Sequence, residues 1–292
     1  MSSKLSFLII GASGYMGHHL YEQLIKKYPA FGTFSNNPFP GGIHFDLIKP
    51  APQSLPFSQV EYAVIFSAVS KIDFCKSHPE LSREINVDGV QNLLMKLKEK
   101  KVFPIYVSSD SVYPGINGDY AETSEGPAIN VYGGHRREIE KFIHDHFQRF
   151  CILRFSKVVG YDDNKSDLLS DLYGQIITGK VLKLVQDQKF QIVSLSDMAA
   201  VIEQVARKNM TGTFNIASPQ TVSRKELAER LANRLAIKIP EVQELPFEYF
   251  NFEDKRAINP SMKMDRFMKA SGFKFQSIDE ILGDFLKEAK TH

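Results

Sequence analysis

Tyr132 and Arg136 stand four residues apart in VYGGHRREIEKF (131–142), one helical turn on one face. A phenol acts as acid or base near neutral pH when a nearby cation favours phenolate, so the pair reads as proton chemistry with Arg136 as the fixed charge. A second segment, VSSDSVYPG (107–115), ends an apolar run in the hydroxyls of Ser108, Ser109 and Ser111 beside Asp110. The third lies at the start of the chain, where LSFLIIGASGYMGHHL (5–20) runs an apolar stretch into Gly11, Gly14 and Gly17 and then into a helical pattern. A dinucleotide site needs a tight turn after a strand, a backbone that can approach a pyrophosphate, and helix N-terminal amides aimed at its charge. The spacing is GxxGxxG rather than GxGxxG, a variant of that fingerprint, and its place between strand and helix favours a cofactor site over a plain turn.

Parallel strands separated by helices would bring these segments together. The first half alternates apolar strands, at 5–10, 31–34, 43–45, 62–66, 103–108 and 150–154, with amphipathic helices at 16–27, 81–100 and 131–147. Pro50, Pro52 and Pro56 make 48–59 a short or irregular crossover. Beyond Phe155 the pattern loosens into helices at 167–178, 195–208, 223–236 and 278–290, with a loop-rich tract at 240–260. The expected fold is α/β: a Rossmann-type, doubly wound parallel sheet with a smaller C-terminal substrate lobe. Residues 1–158 would form the dinucleotide-binding domain, with 188–217 returning to it, and 159–292 mainly the lobe. Ligands of such sheets bind at the carboxyl ends of the strands, where 107–115 and the start of 131–142 should meet.

Composition narrows the function. A net charge of +2 from 36 basic and 34 acidic residues argues against nucleic acid as a partner. Cys75 and Cys151 have no metal-like spacing and read as free thiols in a reducing compartment. His18 with His19, and His144 with His146, fall on different helix faces, so no metal site is expected. No apolar run approaches the ~20 residues of a membrane span, and a strand beginning near the fifth residue leaves no room for a signal peptide, so a cytoplasmic protein without membrane contact is expected.

Several ordered motifs then converge: GASGYMG (11–17), INVDGVQNL (85–93), SSDSVY (108–113), YGGHR (132–136), LRFSKVVG (153–160), VSLSDMAAVI (193–202), GTFNIAS (212–218) and RAINPSMKMDRF (256–267). Over nearly its whole length the chain resembles the extended short-chain dehydrogenase/reductases, in particular their dTDP-4-dehydrorhamnose reductase-like branch. The resemblance implies an NAD(P)-dependent oxidoreductase that reduces a keto group on a nucleotide-linked sugar. Tyr132 would donate the proton, Ser109 would hydrogen-bond the same oxygen, and nicotinamide would deliver hydride. Cofactor contacts would come from Gly11, Ser13, Gly14, Tyr15, Met16, Gly17, Ser35, Asp46, Leu47, Ser67, Ala68, Val69 and Ser108, with Asp46 facing the adenine amine or serving as an ordinary strand-end residue. Substrate contacts would come from Asp110, Ser111 and Arg256, the last at the sugar-nucleotide diphosphate. Tyr113 and Phe155 would line the sugar pocket or the core. Related proteins imply a homodimer, through 81–100 or 131–147.

Position 136 departs from the family, which carries lysine there. A guanidinium supplies charge and hydrogen bonds to ribose but does not deprotonate, so a water or ribose hydroxyl must relay the proton. Gly133 and Gly134 lower helix propensity by about 1 kcal/mol each, and either make room for the larger cation or mark relaxed selection. Ser111 stands where sugar dehydratases carry glutamate, which disfavours dehydration. A nucleotide-sugar epimerase remains an alternative, as does a non-catalytic regulatory subunit of the methionine adenosyltransferase beta type. The end of the second strand, GTFSNNP (32–38), offers neither acid nor base, which favours NADP, with NAD as the alternative.

Overall fold

The computed structural model describes residues 5–50, 54–66, 68–161 and 167–290. The chain begins with β1 (Phe7–Ile10), α1 (Tyr15–Leu24), β2 (Ala30–Phe34), β3 (Ile43–His44) and β4 (Tyr62–Ile65). The short helices α2 (Ile72–Ser77) and α3 (Pro79–Arg83) lead to α4 (Val90–Glu99). Next come β5 (Phe103–Ser109), α5 (Val131–His146), β6 (Cys151–Phe155) and β7 (Lys157–Val159). The remainder comprises α6 (Leu168–Ile177), β8 (Leu182–Val185), β9 (Lys189–Ser194), α7 (Leu195–Arg207), β10 (Gly212–Ile216), β11 (Thr221–Ser223), α8 (Arg224–Leu235), β12 (Val242–Leu245), α9 (Asp265–Ser271) and α10 (Ile278–Ala289).

Seven parallel strands form the central sheet in the order β10-β6-β5-β4-β1-β2-β3. Strand β1 shows why both faces must be covered: all four residues of FLII are buried. Alternate side chains serve opposite layers. Phe7 and Ile9 pack with Leu20 of α1 and Val201 of α7, whereas Leu8 and Ile10 pack with Leu94 of α4 and Ile139 of α5. The chain order reverses between β2 and β4 on either side of β1, which puts the switch-point crevice at the glycine loop. A second core, built from α6, α8 and α10 over β9, carries the three-stranded sheet β11-β9-β7.

One expectation about the elements is revised. The helix expected over 81–100 is interrupted: a π-helical stretch, Glu84–Gly89, separates α3 from α4. Gly89 lies so close to Leu47 that an added Cβ would meet the Leu47 backbone at 2.8 Å, and Asn86 turns inward to a loop after β4. Such bulges let a helix aim a side chain that ordinary helical phase would misplace. Within the loop-rich tract at 240–260, β12 pairs in parallel with β8.

Helix α5 buries an unusual stripe. Tyr132, Arg136 and Glu140 fall at successive helical turns, and all three are buried. Glu140 accepts from Ser108 Oγ at 2.6 Å and holds the Arg154 guanidinium of β6 in a two-pronged pair, Nε to Oε1 at 3.0 Å and Nη2 to Oε2 at 2.6 Å. Arg154 also donates to the Tyr113 hydroxyl at 2.7 Å, which donates to Asn215 Oδ1 at 2.7 Å. Tyr113 and Phe155 are thus core residues, and Tyr113 braces the ion pair. Replacing Glu140 with alanine would strand a recessed guanidinium and should cost about 3–5 kcal/mol in urea unfolding; a loss below about 1 kcal/mol would refute that role.

Candidate active site

The three glycines of the first loop have separable physical roles. Gly11 adopts φ +88°, a conformation that favours glycine, and its N–H donates to Thr33 Oγ1 at 3.0 Å. An added Cβ at Gly17 would overlap the Gly11 carbonyl oxygen, so this glycine lets α1 pack directly against the end of β1. Gly14 is exposed, and a Cβ there would make only an ordinary 3.5 Å contact, so the fold itself does not require it. It is the N-cap of α1 and supplies no side-chain cap, which leaves that helix end suited to an anion. Ser13 is half-buried in the same turn, and Tyr15 and Met16 pack partly against the α1 and α7 core.

Around this loop lie most of the other expected cofactor residues. Ser35, Asn36 and Asn37 are exposed just beyond β2. Asp46 accepts from the Ile48 N–H at 2.8 Å and shapes its own turn, while Leu47 is buried against Gly89. Ala68 and Val69 follow β4, and Ser67 lies outside the described residues. Sequence reasoning missed what fixes that loop. Asn86 Oδ1 accepts from Val69 N at 2.7 Å and Nδ2 donates to Val69 O at 3.0 Å, a two-way clamp from the π-helical stretch. Ser108 is corrected: its hydroxyl is turned into the Glu140 network, so its side chain belongs to the core and not to the cofactor crevice.

At the carboxyl end of β5, Ser109 Oγ donates to Asp110 Oδ1 at 3.0 Å and accepts from Ser111 N at 3.2 Å. Ser111 Oγ approaches the same carboxylate oxygen at 3.5 Å. Burial pushes the Asp110 carboxyl upward, against Lys157 and the serine hydrogen bonds, which favour its charge. This turn lies directly against the start of α5. Asn130 caps that helix by accepting from Gly133 N at 2.8 Å, and a Cβ on Gly133 would overlap the Ser111 carbonyl oxygen. A Cβ on Gly134 would meet nothing within 4 Å, and that residue faces solvent. The glycine pair is therefore not room for Arg136: Gly133 permits the approach of the serine turn, and Gly134 has no packing reason.

Arg136 makes three contacts inside the protein. Its Nε donates to the Tyr132 hydroxyl at 3.0 Å, and Nη1 donates to the Tyr106 hydroxyl and the Val107 carbonyl, each at 3.0 Å. Burial opposes its charge, yet the two phenols together hold its pKa above the ordinary guanidinium value. Tyr106, fully enclosed, is pushed up to about 12 by burial. From far along the chain, Arg256 pairs with Asp73 of α2 at 2.8 Å and lies over the Phe252 ring at 4.6 Å. Its neighbour Asp254 accepts from Val131 N at 3.0 Å, and Asn130 donates to Lys255 O at 3.1 Å. The 252–257 segment thus crosses the N-terminus of α5, one residue from Tyr132. Two more cations near the turn, Lys157 and Arg224, also escaped sequence reasoning; the only signal was a lysine opening the KVV of β7.

With this geometry in place, comparison with known proteins is decisive for the family. The sequence model of the RmlD substrate binding domain matches residues 5–291. The chain belongs to that family. Among curated relatives, methionine adenosyltransferase 2 subunit beta of Bos taurus is 24% identical over 236 residues, covering 77% of this chain and 71% of its own. Among solved structures, a dTDP-4-dehydrorhamnose reductase of Clostridium acetobutylicum superposes with a TM-score of 0.86 at 20% identity, over 98% of this chain and 100% of that one. The Bacillus anthracis dTDP-4-dehydrorhamnose reductase in complex with NADP gives 0.84 at 20% identity, over 98% and 99%. The family member therefore has the fold shared by nucleotide-sugar reductases and epimerases.

The two adjacent glycines give opposite expectations. Gly134→Ala should stabilise the protein by up to about 1 kcal/mol through helix propensity. Gly133→Ala should cost about 1–3 kcal/mol through overlap with the serine turn. Urea midpoints of the two variants that shift in the same direction would refute the assignment.

Proposed function

We propose that the protein is an NADP-dependent reductase of a keto group on a nucleotide-linked sugar. The observation that carries this reading is the buried 3.0 Å hydrogen bond from Arg136 Nε to the Tyr132 hydroxyl, set against the Ser109 turn. Because Arg136 donates into the phenol oxygen, the hydroxyl hydrogen of Tyr132 is left to donate to a ketone. Ser109 can re-aim its hydroxyl from Asp110 to the same oxygen. The phenolate formed as the proton leaves is met at once by the adjacent guanidinium, a preorganised charge in a water-poor site. Arg136 holds its own protons too tightly to return one, so Tyr132 is reprotonated by water or a ribose hydroxyl.

The uncapped end of α1 and the Gly11 turn fit the pyrophosphate of a dinucleotide. A dinucleotide held there would supply hydride to the carbonyl carbon. Gly11, Gly14, Gly17 and the Asn86-clamped Val69 would hold that cofactor. The absence of a carboxylate at Ser35, Asn36 and Asn37 supports NADP, since no charge repels a 2′-phosphate there. Arg256 is the group assigned to the sugar-nucleotide diphosphate. Similarity to the bovine methionine adenosyltransferase subunit favours a second reading, a dinucleotide-binding partner protein without turnover.

Turnover separates the two. NADPH oxidation with a dTDP-4-keto sugar should fall at least ~100-fold in Tyr132→Phe while NADPH binding, followed by fluorescence, is kept. An active Tyr132→Phe protein would overturn the mechanism, and a wild-type protein that binds NADPH without turning over any keto sugar would establish the second reading. For the cofactor, Ser35→Asp should shift the NADPH/NADH affinity ratio at least ~10-fold towards NADH through charge repulsion; an unchanged ratio would place the ribose elsewhere.

A further inference from the structure

Lys157 and Arg224 are not used by the chemistry above, although they border it. Ser109 of β5 is in register with Phe155 of β6, and Lys157 follows two residues later, so it emerges beside the Ser109–Ser111 turn. Its ammonium lies 5.7 Å from the centroid of the Phe190 ring, and the Arg224 guanidinium lies 5.9 Å from the same centroid. Phe190 is fully buried in β9 and cannot yield, so the two cations share a fixed apolar support. Arg224 is aimed by Gln188, whose Oε1 accepts from Nε at 3.2 Å and whose Nε2 donates to Ala257 O at 2.8 Å. The pair therefore lies between the serine turn and the segment that carries Arg256.

Neither cation has an ion-pair partner among the described residues. Burial, then the repulsion of Arg224, pulls the Lys157 ammonium below its ordinary pKa, with Asp110 as the opposing charge. Burial also lowers Arg224, which Asp171 offsets only from a distance. Arg256 is already matched by Asp73. Asp110 and Asp171 oppose these two charges without contacting them, so an anion placed between Lys157 and Arg224 would be met by both.

We propose that Lys157 and Arg224 hold a carboxylate borne by the sugar ring, so that the substrate is an acidic nucleotide-linked sugar of the uronate class. This rests on the reductase reading. The position of Lys157 beside Asp110, next to the residue that holds the ketone oxygen, selects a substituent close to the reacting carbon. The diphosphate leaves the ring from the anomeric carbon, across the ring from a 4-keto group.

Calorimetric titration of the NADP-loaded protein with UDP-glucuronate, UDP-glucose and their dTDP counterparts tests this. For whichever nucleotide binds, the wild type should prefer the glucuronate at least tenfold over the glucose. In Lys157→Met and in Arg224→Gln that preference should fall to about one, whereas Lys157→Arg should keep it. NADPH binding measured on each variant reports an intact fold. Equal wild-type affinity for the acidic and neutral sugars would overturn the proposal, as would variants that weaken both ligands alike, since the cations would then serve the diphosphate. Binding of none of the four, with NADPH still bound, would instead overturn the nucleotide-sugar reading and this proposal with it.

Discussion

The polar stripe of α5 constrains the rest of the molecule. A helix that covers a parallel sheet ordinarily offers it an apolar face, yet α5 offers Tyr132, Arg136 and Glu140 along with Ile139 and Ile143. Removing a guanidinium and a carboxylate from water is tolerable only where each finds partners of good geometry. Here β5 supplies the Tyr106 hydroxyl, the Val107 carbonyl and the Ser108 hydroxyl, and β6 supplies Arg154. Rotating α5 by one residue would bury unpaired charges. The Tyr132 phenol is thus positioned by electrostatic register, with apolar packing filling the space that remains.

This register explains how an arginine can occupy the position where the resemblance led us to expect lysine. A planar fork with separated donors reaches two phenols and a carbonyl at once, whereas an ammonium concentrates its donors at one point. The charge beneath Tyr132 becomes part of the wall of the site, permanently present and fixed in direction. On the proposed reductase reading, preorganisation gains and proton mobility loses, because the group that would stabilise phenolate would not also restore the phenol. The hydroxyl and carboxylate cluster of Ser109, Asp110 and Ser111 lies against Gly133, whose Cβ would overlap the Ser111 carbonyl oxygen.

The sheet was legible in the sequence because fully buried parallel strands leave continuous apolar runs, and the glycine loop because strand, spacing and helix occur together. Tyr132 and Arg136 were legible because a helical period is a local property. What escaped was set by contacts between distant positions. Asn86 clamps Val69 across 17 residues and reaches it only through a π-helical phase shift. Ser108 was expected at the cofactor, but strand alternation sends its hydroxyl to Glu140 in the core, whereas that of Ser109 meets Asp110. Gly133 and Gly134 are identical as letters, and only the carbonyl of Ser111 distinguishes them.

The same logic joins the two halves of the protein. The first turn of α5 has N–H groups that its own helix cannot satisfy. Asn130 satisfies Gly133, but the Val131 N–H is satisfied by Asp254, a carboxylate from more than a hundred residues away that also complements the helix dipole. Asp254 is held by the Lys255 and Arg256 contacts to Asn130 and Asp73, so the cap is delivered by a segment beyond β12. The helix end that carries Tyr132 is therefore completed by the part of the chain assigned to the sugar. On the proposed reductase reading, a ligand that engages Arg256 would act on the same segment that caps the helix of Tyr132, and substrate binding and the order of the proton donor would be coupled through one carboxylate.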